Sequence, residues 1–278
     1  MFRTLLLLLC LICSACSATT AQNPTAPASE TLHITSRADA REASSQLIRE
    51  IELTSGIKFR LGGLTPSESG KVEYTHPTNK DEEELKGYLD LISIELTKYS
   101  ENIIKRSKIK SISIVKNLSV NGQQRAAMPD YVNEVLYLDF LRGNYSKVYQ
   151  AHVFHHEFFH LLEEEINGSS YFKDPNWNKL NPDGFNYGNG GANQRESDNY
   201  PLVHPKPGFI NRYSMAAIEE DKAEIFASLF VDSERKKIFA MAKNDHYLKT
   251  KIELMLDILY EIDASLIDNL ISSTQSSP

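Results

Sequence analysis

Apolar residues recur every three to four positions through Asp81–Ile104, where Leu85, Leu89, Ile92 and Leu96 fall on one face. That spacing predicts a single long amphipathic helix. Its opening acids, Asp81 to Glu84, favour the positive end of the helix dipole and read as a solvated helix start. Ala43, Leu47, Ile48 and Ile51 form a shorter helical stripe within Ala38–Leu53. Alternation replaces this period in Ile109–Leu118, where Ile112 and Ile114 share a face, and a strand is predicted. Val135–Phe140 is a second strand, and Ile57–Leu61 a short one bounded by Gly56, Gly62 and Gly63. Pro66–Asn79 reads as a polar loop, and Gln123–Val132 as an irregular or extended segment.

A helix is predicted over Tyr145–Glu165, with Val148, Ala151, Phe154, Phe158, Leu161 and Leu162 on its apolar flank and Gly168 as its stop. Asn167–Pro207 is rich in Gly, Asn, Asp and Pro and has little periodicity. Loops of that length inside a domain are usually functional or disordered. Trp177, Phe185 and Tyr187 predict that this one is pinned down and walls a cleft. Ser214–Val231 is the next helix, and from Ser233 an apolar series through Ile238, Leu248, Ile252, Met255 and Leu259 predicts two or three closing helices. Helices and strands mixed along one chain give α+β as the expected fold class.

Composition narrows the function. The 278 residues carry 30 Lys+Arg against 37 Asp+Glu, a formal charge of −7, which argues against a nucleic-acid binder. Arg3 followed by the apolar run Leu5–Ile12 is a targeting segment, too short for a permanent membrane span. Cys13-Ser14-Ala15-Cys16 resembles a bacterial lipoprotein signal, departing from it at Cys13, where leucine is usual. The resemblance implies removal of the segment preceding Cys16, a lipid anchor at Cys16, and, with Ser17 next, residence in the outer membrane or at the cell surface or periplasm. An ordinary secretory signal cut near Ala18 or Ala21 is the alternative. The expected organisation is a signal over 1–16, a flexible tether over 17–30 and one folded domain over 31–278. All three cysteines lie in the targeting segment, so no disulfide and no cysteine metal ligand is expected in the domain.

The chemistry concentrates in His156-Glu157-Phe158-Phe159-His160. Residues four apart share a helix face, so both imidazoles reach one metal ion, and Glu157 sits one step round, placed to take a proton from the water it activates. The pattern predicts one zinc ion held by His156 and His160 with a position left open for catalysis. His152 lies one turn earlier on the same stripe, but a His152/His156 pair would put Val153 where the base belongs. His155 points away and reads as a packing residue or as support behind the ligands, with contact to substrate as the lesser alternative. His204 is a weaker alternative ligand, and His76 a loop residue.

Sixty residues on, Glu219, Glu220, Asp221 and Glu224 stand among Ile218, Ala223, Ile225 and Phe226. Glu220 and Glu224 are one turn apart on one face, and buried carboxylates need a cationic partner. An HExxH followed by such an acid pair resembles the gluzincins. Tyr213 with Glu220 and Glu224 is similar, more narrowly, to the lethal factor catalytic domain group and to zinc-binding metallopeptidases of bacterial lipoproteins. The resemblance covers roughly 150–166 and 208–231, and extends to the Asn181–Tyr187 loop. It implies a zincin-like fold with a small mixed sheet, an active-site helix and a mainly helical C-terminal part. It also implies zinc ligands His156, His160 and Glu220, general base Glu157, oxyanion donor Tyr213, and Glu224 orienting a histidine. Glu219 competes with Glu220 for the ligand role. The implied activity is a zinc endopeptidase, monomeric, acting on peptide or protein. The rival is a binding lipoprotein that keeps the shape and holds peptide without cleaving it.

Overall fold

A computed structural model describes residues 29–63, 72–191, 200–267 and 270. The targeting segment, Cys16 and nearly all of the tether lie outside these residues. The sheet is ordered β1 (Lys58–Leu61), β3 (Ser111–Val120), β6 (Val135–Asp139), β5 (Ala127–Asp130). β1 and β6 flank β3 in parallel, and β5 runs antiparallel to β6. β3 is buried from Ser111 to Val115 and β6 throughout, as strands covered on both faces must be. The far end of β3 emerges from the core and pairs antiparallel with β2 (Val72–Thr75) and β4 (Gln123–Gln124). β2 lies inside the segment predicted as a loop. Val72 and Tyr74, partly buried, alternate with exposed Glu73 and Thr75, but over only four residues, and the partner is the polar end of β3.

Among the described residues β5 is an unpaired edge of the sheet, and its backbone orientation can be read from one bond. The Asp139 N–H donates to Ala126 O at 2.8 Å, so Ala126, Met128 and Asp130 turn their backbone groups toward β6. Ala127 and Pro129 therefore face outward. A proline is tolerated there because its missing N–H removes no ladder bond.

The helix predicted over 81–104 is two: α2 (Glu82–Leu96) and α3 (Glu101–Ser107). The first closes through i to i+3 bonds at Thr97, Lys98 and Tyr99, and the second restarts where Ser100 Oγ accepts the Ile103 N–H at 3.3 Å. Lys98 fastens the break by donating to Phe230 O at 2.8 Å. α1 (Ser29–Ser55) packs on α2 and begins earlier than its apolar stripe suggested.

α4 (Lys147–Asn167) runs through the middle of the domain. Ser146 Oγ caps it by accepting the Tyr149 N–H, and Gly168 ends it in the left-handed conformation, φ 73°. A single turn, α5 (Pro175–Asn178), buries Trp177 completely. α6 (Ile218–Phe230) lies along α4, and α7 (Asp232–Ala242) and α8 (His246–Ile262) close the domain. Tyr99 stacks on Phe158 at 4.2 Å between ring centroids and packs against Phe226 and Phe230, so aromatic burial joins α4 to α6. Two buried ion pairs fix the register: Lys222 of α6 with Glu163 of α4, and Lys251 of α8 with Asp221 of α6. Sliding either helix would strand a buried charge, at a cost of about 3–5 kcal/mol. Among the described residues no helix is long and apolar enough to cross a membrane.

Candidate metal centre

α4 brings His156 and His160 onto one face because they are four residues apart, and their Nε2 atoms face each other at 3.1 Å. The first turn of α6 supplies Glu220, whose Oε2 lies 3.0 Å from His156 Nε2 and 3.5 Å from His160 Nε2. Ligands held about 2.0–2.1 Å from zinc at near-tetrahedral angles sit about 3.3 Å apart, so this donor set fits the ion without rearrangement. All three side chains line a cleft of about 1030 Å³. A second set with similar spacing, His152, His156 and Glu224, is buried behind the first. His152 already has a carboxylate oxygen at hydrogen-bond distance from each ring nitrogen, so that set is satisfied without a metal. Glu219 also reaches the cleft wall but belongs to neither set.

Burial opposes ionisation of Glu220, yet His156 and His160 overcome it and hold the carboxyl far below its usual range. In return Glu220 raises the affinity of both imidazoles for protons. A cation bound there replaces those protons. Glu224 sits behind His156, with Oε1 at 2.9 Å from Nδ1, an oblique approach that makes no aligned hydrogen bond. Its other partners are better aimed: His152 Nε2 lies 3.0 Å from the same Oε1, and the Asn211 amide donates to Oε2.

Glu157 is partly open to the cleft. Burial raises its pKa, and the neighbouring imidazoles pull the other way. Tyr213 stands on a short 3-10 turn, Tyr213–Met215, with its ring 5.7 Å from that of His156. Burial and the carboxylates of Glu220, Glu157 and Glu224 push its pKa well up, so the hydroxyl stays protonated and able to donate. Gly191 packs over this pair. A Cβ there would fall 2.1 Å from Glu220 Oε1 and 2.3 Å from the Tyr213 hydroxyl, so any larger residue would push one of these two side chains aside.

The long segment after α4 walls the cleft through Asn186 to Gly191, and is anchored from behind by Asp221. Trp177 Nε1–H donates to Asp221 at 2.8 Å and the Tyr187 hydroxyl at 2.7 Å, beside the Lys251 ammonium. Gly188 and Gly190 donate to Met215 O and Ala216 O, which ties the wall to the turn carrying Tyr213.

The other histidines have clear places. His204 pairs with Asp245 at 2.8 Å and is no ligand of this centre. His155 is fully buried on the opposite side of α4, out of reach of substrate. Its Nε2 lies 2.6 Å from Glu95 and its Nδ1 2.6 Å from the Tyr99 hydroxyl. Carboxylates only accept, so Nε2–H donates to Glu95; burial keeps the ring neutral, and the tyrosine hydroxyl then donates to Nδ1. Burial, against the pull of Glu95, lowers its pKa from 6.5 to about 4. The unfolded chain then takes up a proton that the folded one refuses, so this histidine's contribution is complete above pH 6.5 and is lost as pH falls toward 4. The loss is at most about 3 kcal/mol. Urea unfolding from pH 4 to 7 should show a shallower dependence for His155→Gln than for the native chain, and equal slopes would refute the assignment.

Sequence reasoning missed the group behind Glu224. His152 Nδ1 lies 2.7 Å from Glu234 Oε2, and the Tyr200 hydroxyl donates to Glu234 Oε1 at 2.5 Å. His152 was visible as a residue one turn before His156. Its partner, 82 residues away on another helix, had no local signal.

A small mixed sheet, a central helix with two facing imidazoles, and a helical C-terminal part place the protein in the zincin-like class of metallopeptidase folds. The sequence pattern of a family described as "Putative zinc-binding metallo-peptidase" matches residues 116–259, more than half of the chain, and the chain belongs to that family. Its fold is similar to a crystal structure described as a "putative zinc-binding metallo-peptidase" from Bacteroides caccae ATCC 43185, with TM-score 0.50 and 17% identity over 84% of this chain and 92% of that one. No curated protein matches the chain.

Proposed function

We propose that the protein is a zinc-dependent endopeptidase with His156, His160 and Glu220 as ligands, Glu157 as general base and Tyr213 as oxyanion donor. One observation carries this reading: two imidazoles, a carboxylate, a further glutamate and a protonated tyrosine converge on one open cleft. When bound, zinc supplies a Lewis acid that makes water acidic near pH 7. Glu157 takes the proton from the attacking water and returns it to the leaving amine. The Tyr213 hydroxyl donates to the oxygen of the scissile carbonyl as negative charge develops there. Glu224 stands behind His156 and limits how its ring can turn.

The free edge of β5 borders the same cleft and suits an extended peptide added as a further strand. Ala127 offers both an N–H and a C=O, and Pro129 only a C=O. Peptide or protein is therefore the proposed substrate, taken up by a monomer. The lipoprotein-like residues around Cys16 support a tether that holds the domain at the cell envelope, outside the inner membrane.

The test is digestion of a mixed peptide library by the purified, zinc-loaded chain, with fragments read by mass spectrometry. Internal cleavage that stops when the metal is chelated and resumes when zinc is returned is expected. Retained, uncut peptide would replace this reading with that of a binding protein.

A further inference from the structure

We infer that His152, held from behind by Glu234, is a positioning residue that fixes the Glu224 carboxylate against His156, and that Tyr200 extends this support to the cleft wall. The inference rests on His156 being a zinc ligand, as proposed above.

Four separate parts of the chain meet here. His152 lies on α4, Glu224 on α6, Glu234 in the first turn of α7, and Tyr200 on the segment leading out of the cleft wall. His152, Glu224 and Glu234 are each at most 4% exposed. Buried carboxylates are costly unless their oxygens are paired, and each here is. His152 Nε2 holds Glu224 Oε1 at 3.0 Å and His152 Nδ1 holds Glu234 Oε2 at 2.7 Å. Because carboxylates only accept, both ring nitrogens donate and the ring is a cation between two anions. Asn211 holds the other oxygen of Glu224, and the Tyr200 hydroxyl the other oxygen of Glu234.

The direction of support follows from which contacts are well aimed. Glu224 Oε1 lies 2.9 Å from His156 Nδ1 at a poor angle, so the well-aligned bonds on Glu224 come from elsewhere. The orientation of Glu224 is set by Asn211 and His152. Without His152, the oxygen nearest the metal ligand would keep only that oblique neighbour, and the carboxylate could rotate away from His156. Without Glu234, His152 would lose the acceptor that holds its ring in plane. His152 and Tyr200 also line a smaller cavity of about 90 Å³ that opens beside His156, Glu157 and Tyr213. Movement of Tyr200 would thus be felt at the metal ligand through three consecutive hydrogen-bonded groups.

Support behind a metal ligand differs from plain packing in what it changes. Losing such a partner typically costs about 10–100-fold in metal affinity. The experiment measures zinc affinity of the full chain by competition with a chromophoric chelator, together with the melting temperature of the metal-free protein. His152→Ala and Glu234→Ala should bind zinc about 10–100-fold more weakly. Glu234→Gln, which keeps an acceptor for His152, should recover most of the loss, and Tyr200→Phe should show a smaller loss with an unchanged metal-free melting temperature. If His152→Ala fails to fold, Glu234→Ala and Tyr200→Phe still give the answer. Native zinc affinity in Tyr200→Phe together with either His152→Ala or Glu234→Ala, with only the metal-free melting temperature lowered, would overturn the inference. A Glu220→Ala protein that binds zinc like the native chain would instead remove the metal assignment beneath it.

Discussion

Zinc-loaded Glu157→Gln is expected to retain its metal and lose roughly 10²–10⁴-fold in kcat/KM for peptide hydrolysis. Glutamine keeps the size of the side chain and its place beside the cleft but has no basic oxygen for the proton of the attacking water. The zinc donors should be undisturbed, because no aligned hydrogen bond joins Glu157 to His156 or His160, whose close polar neighbours are Glu220, each other and, behind His156, Glu224. A thousandfold loss corresponds to about 4 kcal/mol of transition-state stabilisation, too much to attribute to a packing change at a partly open position. Zinc content by plasma emission and kcat/KM on one cleaved peptide would be measured together. Undiminished turnover by the metal-loaded variant would remove Glu157 from the chemistry and revive the binding-protein reading.

Local rules and tertiary context divided the work of prediction along physical lines. His156 and His160 were readable because their relation depends only on helix geometry, and so was the spacing of Glu220 and Glu224. Their meeting was not readable from spacing. It depends on Tyr99, Phe158, Phe226 and Phe230 packing together and on Lys222 finding Glu163, contacts between residues up to 131 positions apart. The resemblance to a known family stood in for that missing information.

The break between α2 and α3 escaped for a different reason. Leu96, Tyr99 and Ile103 continue a helical spacing across it, so periodicity carried straight through a turn that Ser100 and Lys98 impose. The break is what delivers Tyr99 to His155. β2 was missed because its alternation, Val72 and Tyr74 against Glu73 and Thr75, spans only four residues. The cluster of His152, Glu234 and Tyr200 joins three regions: His152 stood out only as a rival to the His156 pairing, and Glu234 and Tyr200 carried no local signal.

The choice between two adjacent glutamates leads to the other large effect. Glu220→Ala should lose more zinc affinity than the roughly 10–100-fold that loss of an outer partner costs, whereas Glu219→Ala should bind zinc as the native chain does. Consecutive residues on a helix point about a quarter-turn apart, so only one of the two can face the imidazoles. In the folded chain that one is Glu220, within 3.0 and 3.5 Å of their Nε2 atoms. Its electrostatics agree, because two histidines hold its carboxyl ionised against the cost of burial. Burial raises the pKa of Glu219, with Glu220 adding to the rise and His160 and Lys173 offsetting only part of it, as suits a wall residue. Removing Glu220 also takes away the negative charge that Gly191 is shaped to admit, leaving two imidazoles and no third donor from α6. Chelator competition on both variants at one pH would decide the matter. Tight binding by Glu220→Ala combined with weak binding by Glu219→Ala would require the first turn of α6 to be rotated in the metal-bound protein, and the ligand set would have to be redrawn around Glu219.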